Sequence, residues 1–211
     1  MKRLSSLRPA EVAIFISLVL AGCQIAPVKF TDIQEGQWRA KALIKDVEQA
    51  RSYIVNLNFN VKKDEFARMD VTTTLGMGVA SLLVDTKEVH YVLFDSKRFY
   101  YGPPQPGVMR PILAIPFDPR WIQNILLDVP IRDKGWSCNS DKNKWLTDCQ
   151  DAVTGLKITW SARQGDKKTI LIEHAKASVQ INVQNFRSKV EERKNLFSLE
   201  APEGYQKLRV R

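Results

Sequence analysis

The sequence predicts a mainly β protein, a single domain built on one antiparallel sheet. Three observations carry this expectation. Residues 52–61 alternate, with Tyr53, Val55, Leu57, Phe59 and Val61 on one face and Ile54, Asn56, Asn58 and Asn60 on the other. That is the pattern of a long strand buried on one side. Further strand-like runs recur at 66–74, 79–85, 89–94, 98–101, 156–162, 168–174, 177–185 and 196–200, with turn residues such as Asp95-Ser96-Lys97 and Gln164-Gly165-Asp166 between them. Helix is scarce, and no repeat or linker divides the chain. A composition of 44% hydrophobic and 26% charged residues over 211 positions supports a real core and excludes wholesale disorder.

The first segment in chain order is not part of that domain. Lys2, Arg3 and Arg8 precede an apolar run, Val12 to Leu20, which ends in Ala21-Gly22-Cys23. A basic start, a short apolar run and small residues describe a secretory signal. The run is shorter than the ~20 residues a spanning helix needs. Leu20-Ala21-Gly22-Cys23 resembles a bacterial lipobox, which implies cleavage before Cys23 and a diacylglyceryl group on its sulfur. The expected organisation is therefore a signal peptide over 1–22, a tether over 23–37 with a helical turn near Thr31-Asp32-Ile33-Gln34, and the β domain over 38–211. Gln24, where an Asp would retain a lipoprotein at the inner membrane in bacteria that use that rule, is compatible with the outer membrane and a periplasm-facing domain.

The formal charge is +9 at pH 7. Three of the basic residues and one acidic residue lie within 1–22. The remaining excess favours anionic surfaces weakly. No basic run with interleaved aromatics points to nucleic acid.

Residues 118–128 form the best helix candidate. Asp118 can cap the free amides, and Pro119 suits the first helical position, where its missing N–H costs nothing. Trp121, Ile122, Ile125 and Leu126 then share one stripe, and Pro130 ends the element. A second helical piece is expected over 46–50. Cys138 and Cys149 flank a polar stretch, 139–144, that reads as the turn of a hairpin. A structural disulfide across it suits an oxidising compartment. Two buried free thiols or a redox pair are the rival readings, although there is no Cys-x-x-Cys spacing. Trp136 and Trp145 read as core and cross-strand packing, paired across this hairpin or not.

Nine or more strands with an apolar face need a cover, and one or two short helices cannot supply it. The sheet either packs on itself as a sandwich or curls around a partly open apolar space. Periodicity alone does not choose between them.

A resemblance does. The lipobox, Trp38 opening the first strand, and Phe66-Ala67-Arg68-Met69-Asp70-Val71 running into Leu75-Gly76-Met77-Gly78 are similar to the LolA/LolB superfamily. So are Ile115-Pro116-Phe117-Asp118-Pro119-Arg120-Trp121-Ile122, Val129-Pro130 and the C-terminal Phe197-Ser198-Leu199-Glu200-Ala201-Pro202-Glu203-Gly204-Tyr205. The closest likeness is to LolB-like outer-membrane lipoprotein receptors. The resemblance implies a curled antiparallel sheet, an incomplete barrel, with a short helical lid over a hydrophobic cavity that binds acyl chains without catalysis. The Cys138/Cys149 pair and the basic segment after residue 185 depart from the family pattern.

Residue by residue, Val55, Leu57, Phe59, Met69 and Val71 from the strands, with Ile122, Ile125 and Leu126 from the helix, are the candidates to line the acyl-chain space. A tightly packed core would use the same residues. Leu75 and Met77 tip a turn at a sheet end with no charge beside them, and Leu75 stands where the family carries a membrane-transfer leucine. Folding back to seal the barrel end is the alternative for this loop.

Catalysis finds little support in the sequence. His90 and His174 sit within predicted strands without Ser/Asp or metal spacing around them. Asp70, Asp85 and Asp95 read as turn or polar-face carboxylates, and Gly76-Met77-Gly78 is no phosphate loop. The expectation is a non-enzymatic, monomeric lipoprotein without metal or cofactor. Its expected partners are lipidated proteins or lipids, a soluble LolA-like carrier, and the membrane through the Cys23 lipid. The rival is an assembly lipoprotein that uses the same sheet as a protein-docking platform. Cys23→Ala should leave an unprocessed or soluble precursor. Normal membrane fractionation with unchanged gel mobility would show that Cys23 is not the anchor.

Overall fold

In the computed structural model, which describes residues 25–190 and 195–210, the chain forms one sheet of twelve strands. Cys23 and Gln24 lie outside the described residues. The strands are β1 (Glu35–Asp46), β2 (Arg51–Lys62), β3 (Phe66–Thr73), β4 (Gly78–Asp85), β5 (Val89–Leu93), β6 (Arg98–Gly102), β7 (Trp136–Ser140), β8 (Leu146–Asp151), β9 (Lys157–Gln164), β10 (Lys167–His174), β11 (Ala177–Arg187) and β12 (Gln206–Arg209). Their order across the sheet is β12-β6-β5-β4-β3-β2-β1-β11-β10-β9-β8-β7. Two meanders, β1–β6 and β7–β11, are joined where β1 pairs with β11. The sheet curls as an incomplete barrel, and its concave face carries the core.

The alternation predicted at 52–61 is the β2 register. Leu57 stands opposite Ala40 on β1 and Val71 on β3, and Phe59 opposite Trp38 and Met69. Asn56 and Asn58, on the other face, are half-exposed. Between β6 and β7 lies the one α-helix among the described residues, α1 (Trp121–Leu127), whose Trp121, Ile122, Ile125, Leu126 and Leu127 are buried. The predicted stripe is therefore real.

Several local expectations are corrected. The helical piece at 46–50 is a tight turn, because the β1–β2 register brings Asp46 opposite Arg51 and leaves four residues to reverse the chain. Asp46 accepts the Gln49 amide there at 2.9 Å. Within the segment expected as a tether, a 3-10 turn covers Phe30–Asp32, and β1 starts at Glu35, ahead of Trp38. Residues 196–200 form no strand. Arg68 takes the Leu196 and Ser198 carbonyls, and Phe197 packs on Phe66 at 3.5 Å, so this backbone is committed to side chains. The last strand is instead β12, and it runs parallel to β6, which breaks the all-antiparallel rule.

Helix α1 ends at Asp128, which adopts the left-handed conformation (φ 54°), before Pro130 is reached. Asp118 accepts the Arg120 amide at 2.9 Å but lies ahead of the first helical residue. Trp136 and Trp145 do not pair with each other. Trp136 meets Trp121 edge-on at 4.8 Å, and Trp145 lies under the Arg163 guanidinium at 5.5 Å.

Candidate functional site: an apolar cavity open at one end

The strand register sorts the turns into two ends. The turns at 47–50, 74–77, 94–97, 152–156 and 175–176 share one end; those at 63–65, 86–88, 141–145 and 165–166 share the other. Helix α1 belongs to the second end. Gln123 Oε1 accepts the Asp64 amide there, and Phe30 and Trp38 are buried nearby in an aromatic cluster with Phe186. We call it the plugged end.

The concave face encloses a cavity of about 810 Å³. All eight residues singled out from the sequence, Val55, Leu57, Phe59, Met69, Val71, Ile122, Ile125 and Leu126, line it. These residues belong to the buried core cluster or, for Met69, pack against it, and unfilled space lies beside them. Sequence reasoning missed the opposite wall. Met109, Ile112, Leu113 and Phe117 come from 103–117, a segment with neither strand nor helix period. It is held by backbone turns and by the Tyr91 hydroxyl, which donates to the Val108 carbonyl at 2.9 Å. Burial raises the pKa of Tyr91 and keeps it a donor.

The cavity opens away from α1. Its lining there includes Gln49, Tyr53 and Ile54, which are exposed, together with Asp46, Asp95 and Arg110. Beside this mouth the β3–β4 turn presents Leu75 and Met77, 85% and 61% exposed. The turn is closed by Thr73, whose amide donates to the Met77 carbonyl and whose hydroxyl accepts the Met77 amide. Gly76 sits at φ 86°, a conformation that other residues adopt at a cost. The two apolar tips therefore point outward by construction and do not fold back to seal the barrel.

The plugged end contains a group that hydropathy patterning gave no reason to expect. Lys168, on β10, is fully buried and donates to the Leu126 carbonyl at 2.6 Å and to Asp128 Oδ1 at 2.6 Å. Its ammonium also lies 4.2 Å from the centre of the Phe30 ring. The signal available in the sequence was a charge, Asp128, at the end of an apolar helix; nothing local linked it to a lysine forty residues away. The last carbonyls of a helix lack partners within it and carry partial negative charge, so a cation placed there is stabilising. Lys168 supplies that cation and also neutralises the buried Asp128. Trp160 adds an indole N–H to the Ile125 carbonyl at 3.0 Å. Burial, opposed by Asp128, pushes the Lys168 pKa down to about 8.

The remaining residues singled out are scattered. Cys138 and Cys149 face each other across β7 and β8 and are joined in a disulfide, well outside the cavity lining. His90 lies on β5 beside Glu88, and His174 ends β10, with five strands between theirs. Asp70 binds Arg68 and Ser81, while Asp85 and Asp95 accept turn amides.

No protein-family profile and no curated protein matches the chain. Solved structures do. A LolA superfamily protein from Nitrosomonas europaea aligns over 82% of this chain and 94% of its own, at 8% identity and a TM-score of 0.51. A DUF1329 family protein from Desulfovibrio piger aligns over 89% of this chain and 95% of its own (12% identity, TM-score 0.49). A domain from Vibrio parahaemolyticus, named for outer membrane lipoprotein sorting, aligns over 78% and 89% (9% identity, TM-score 0.47). The first of these shows that the chain shares its fold with that LolA superfamily protein.

The Lys168 tie predicts a defined pH dependence. The folded pKa, about 8, lies below the ordinary 10.5, so between these values the unfolded chain holds more proton and stability rises with pH. The full rise is on the order of 3 kcal/mol, and below pH 8 the contribution is flat. Lys168→Met should lose that rise and, by leaving Asp128 buried without its nearest cation, cost ~3–5 kcal/mol at pH 7. Urea unfolding of both proteins between pH 7 and 10 checks this; parallel stability–pH curves would refute it.

Proposed function

We propose that the protein is a lipid-anchored, periplasm-facing carrier or receptor that holds the acyl chains of lipoproteins or lipids in this cavity and helps localise them to the outer membrane. The observation that carries the reading is the cavity itself: about 810 Å³ walled by aliphatic and aromatic side chains, plugged at one end and open at the other. Shared fold with a LolA superfamily protein supports it. Each methylene removed from water contributes ~0.8 kcal/mol, so an acyl chain strongly favours such a lining over solvent. Transfer then follows the better apolar host and needs no nucleotide.

The rival, a docking platform with an interior filled by its own side chains, calls for a packed core; the unfilled volume favours the carrier. Purified protein made without its lipid anchor should yield co-purified lipid on organic-solvent extraction. Leu57→Trp, which projects bulk into the cavity, should weaken binding of a fluorescent fatty acid tenfold or more while far-UV circular dichroism stays unchanged. Equal affinity in the folded variant would remove the cavity from the proposal.

In this reading Leu75 and Met77 carry cargo across the mouth into an acceptor. Each contributes on the order of 1–2 kcal/mol on entering an apolar phase, enough to orient the mouth and too little to anchor the molecule. Leu75→Glu combined with Met77→Glu should keep folding and fatty-acid affinity while slowing transfer from the unlipidated protein to liposomes several-fold. Transfer at the parent rate would leave the loop with no part in delivery.

A further inference from the structure

Two features lie at opposite ends of the molecule. The first is the rim. Among the described residues, the large apolar side chains left exposed are Ile25, Val47, Tyr53, Ile54, Leu75, Met77, Tyr101 and Val153. Val47, Tyr53 and Ile54 belong to the β1–β2 hairpin, Leu75 and Met77 to the β3–β4 turn, and Val153 to the β8–β9 turn. All three turns are at the open end. Five strand-to-strand steps separate β3 from β9, so the apolar points are spread along the curled edge around the mouth.

The second feature is the path of the N-terminal segment. The Val28 amide donates to the Gly165 carbonyl at 2.8 Å, in the β9–β10 turn of the plugged end. Phe30 is buried there, 5.1 Å from Phe186 and 6.0 Å from Trp38, with the Lys168 ammonium over its ring. Residues 25–34 thus form a strap docked at the end opposite the mouth.

We infer that the docked strap turns the cavity mouth away from the membrane in which the protein is anchored, and that the mouth reaches that membrane only after the strap lets go. This rests on the reading that the anchor lies at Cys23. From Cys23 to Val28 there are five residue steps, at most ~18 Å of chain. The sheet is longer than that. Strand β2 has 12 residues, about 40 Å at ~3.3 Å per residue, and still ~28 Å along the barrel axis at a tilt of ~45°. An anchor upstream of Val28 therefore holds the plugged end near the bilayer and the apolar rim out in the aqueous space.

Release changes this. Freeing the chain up to Glu35, where β1 begins, gives twelve steps, about 40 Å, enough to bring the mouth round to the same bilayer. The strap separates two tasks. Docked, the rim meets acyl-bearing cargo arriving from the aqueous side; released, it can deliver into the anchoring membrane.

The test places the lipidated full-length chain in vesicles, with a fluorophore on Thr74→Cys beside the mouth and a quencher on the lipid headgroups. A second version carries a flexible Gly/Ser insertion of about 20 residues between Gln24 and Ile25. The native tether should leave the fluorophore largely unquenched, and the insertion should increase quenching several-fold. Transfer of a fluorescent fatty acid into the protein's own vesicles should rise in parallel, with transfer to added vesicles unchanged. Full quenching with the native tether, or own-vesicle transfer indifferent to the insertion, would overturn the inference. Quenching that follows the expected pattern in a protein that binds no fatty acid would uphold the orientation and reject the cavity reading instead.

Discussion

Among the described residues, a twelve-stranded sheet with an apolar concave face has one seven-residue α-helix to cover it. Most of what is distinctive in the structure follows from that shortage. A sheet of this width can bury its inner face only by curling, and a curled sheet is wider inside than one helix and one irregular segment can fill. The residue of that mismatch is the cavity. The strand and helix side chains deep in it, such as Leu57, Phe59, Ile125 and Leu126, are buried, yet space remains between the walls.

The shortage also raises the demand on the helix. Seven residues offer little intrinsic helical stability, so α1 depends on tertiary ties. Lys168, Trp160 and the left-handed Asp128 satisfy its C-terminal carbonyls and its chain reversal. The charged part of this arrangement is costly to bury. Asp128 Oδ2 faces Arg163 at 3.6 Å without a hydrogen bond, and Arg163 Nε has no partner. An apolar cluster in the same place would avoid that cost, but it could not hold helix carbonyls and Phe30 together. Specific attachment of the plug is what the ion pair contributes.

The two ends of the sheet consequently differ in kind. The plugged end is aromatic, hydrogen-bonded and tied to the N-terminal segment. The open end has exposed apolar side chains and a wall of strand ends. The carrier role proposed above would need this inequality: one end that keeps water out and keeps its shape, and one that exchanges contents with other apolar hosts.

The sequence by itself determined the strands, because period-2 alternation at 52–61 or 168–174 reports one buried face whatever lies beyond it. It left open whether Leu75 and Met77 point outward or fold back, but determined the helical stripe and which eight side chains would face inward. Those are local consequences of backbone geometry. Tertiary structure alone decided whether the space beside the eight would be filled. Cavity and core share one hydropathy pattern and differ only in how far apart the curl holds opposite walls. The same holds for the wall at 103–117, which has no period because tertiary hydrogen bonds such as Tyr91 to Val108 shape it. The 46–50 turn was misread as helix for a related reason: register across β1 and β2, not propensity, sets four residues aside to reverse the chain. The parallel closure by β12 and the Lys168–Asp128 tie join residues tens of positions apart. No local pattern records such pairings, because their stability comes from burial that exists only once the sheet has curled.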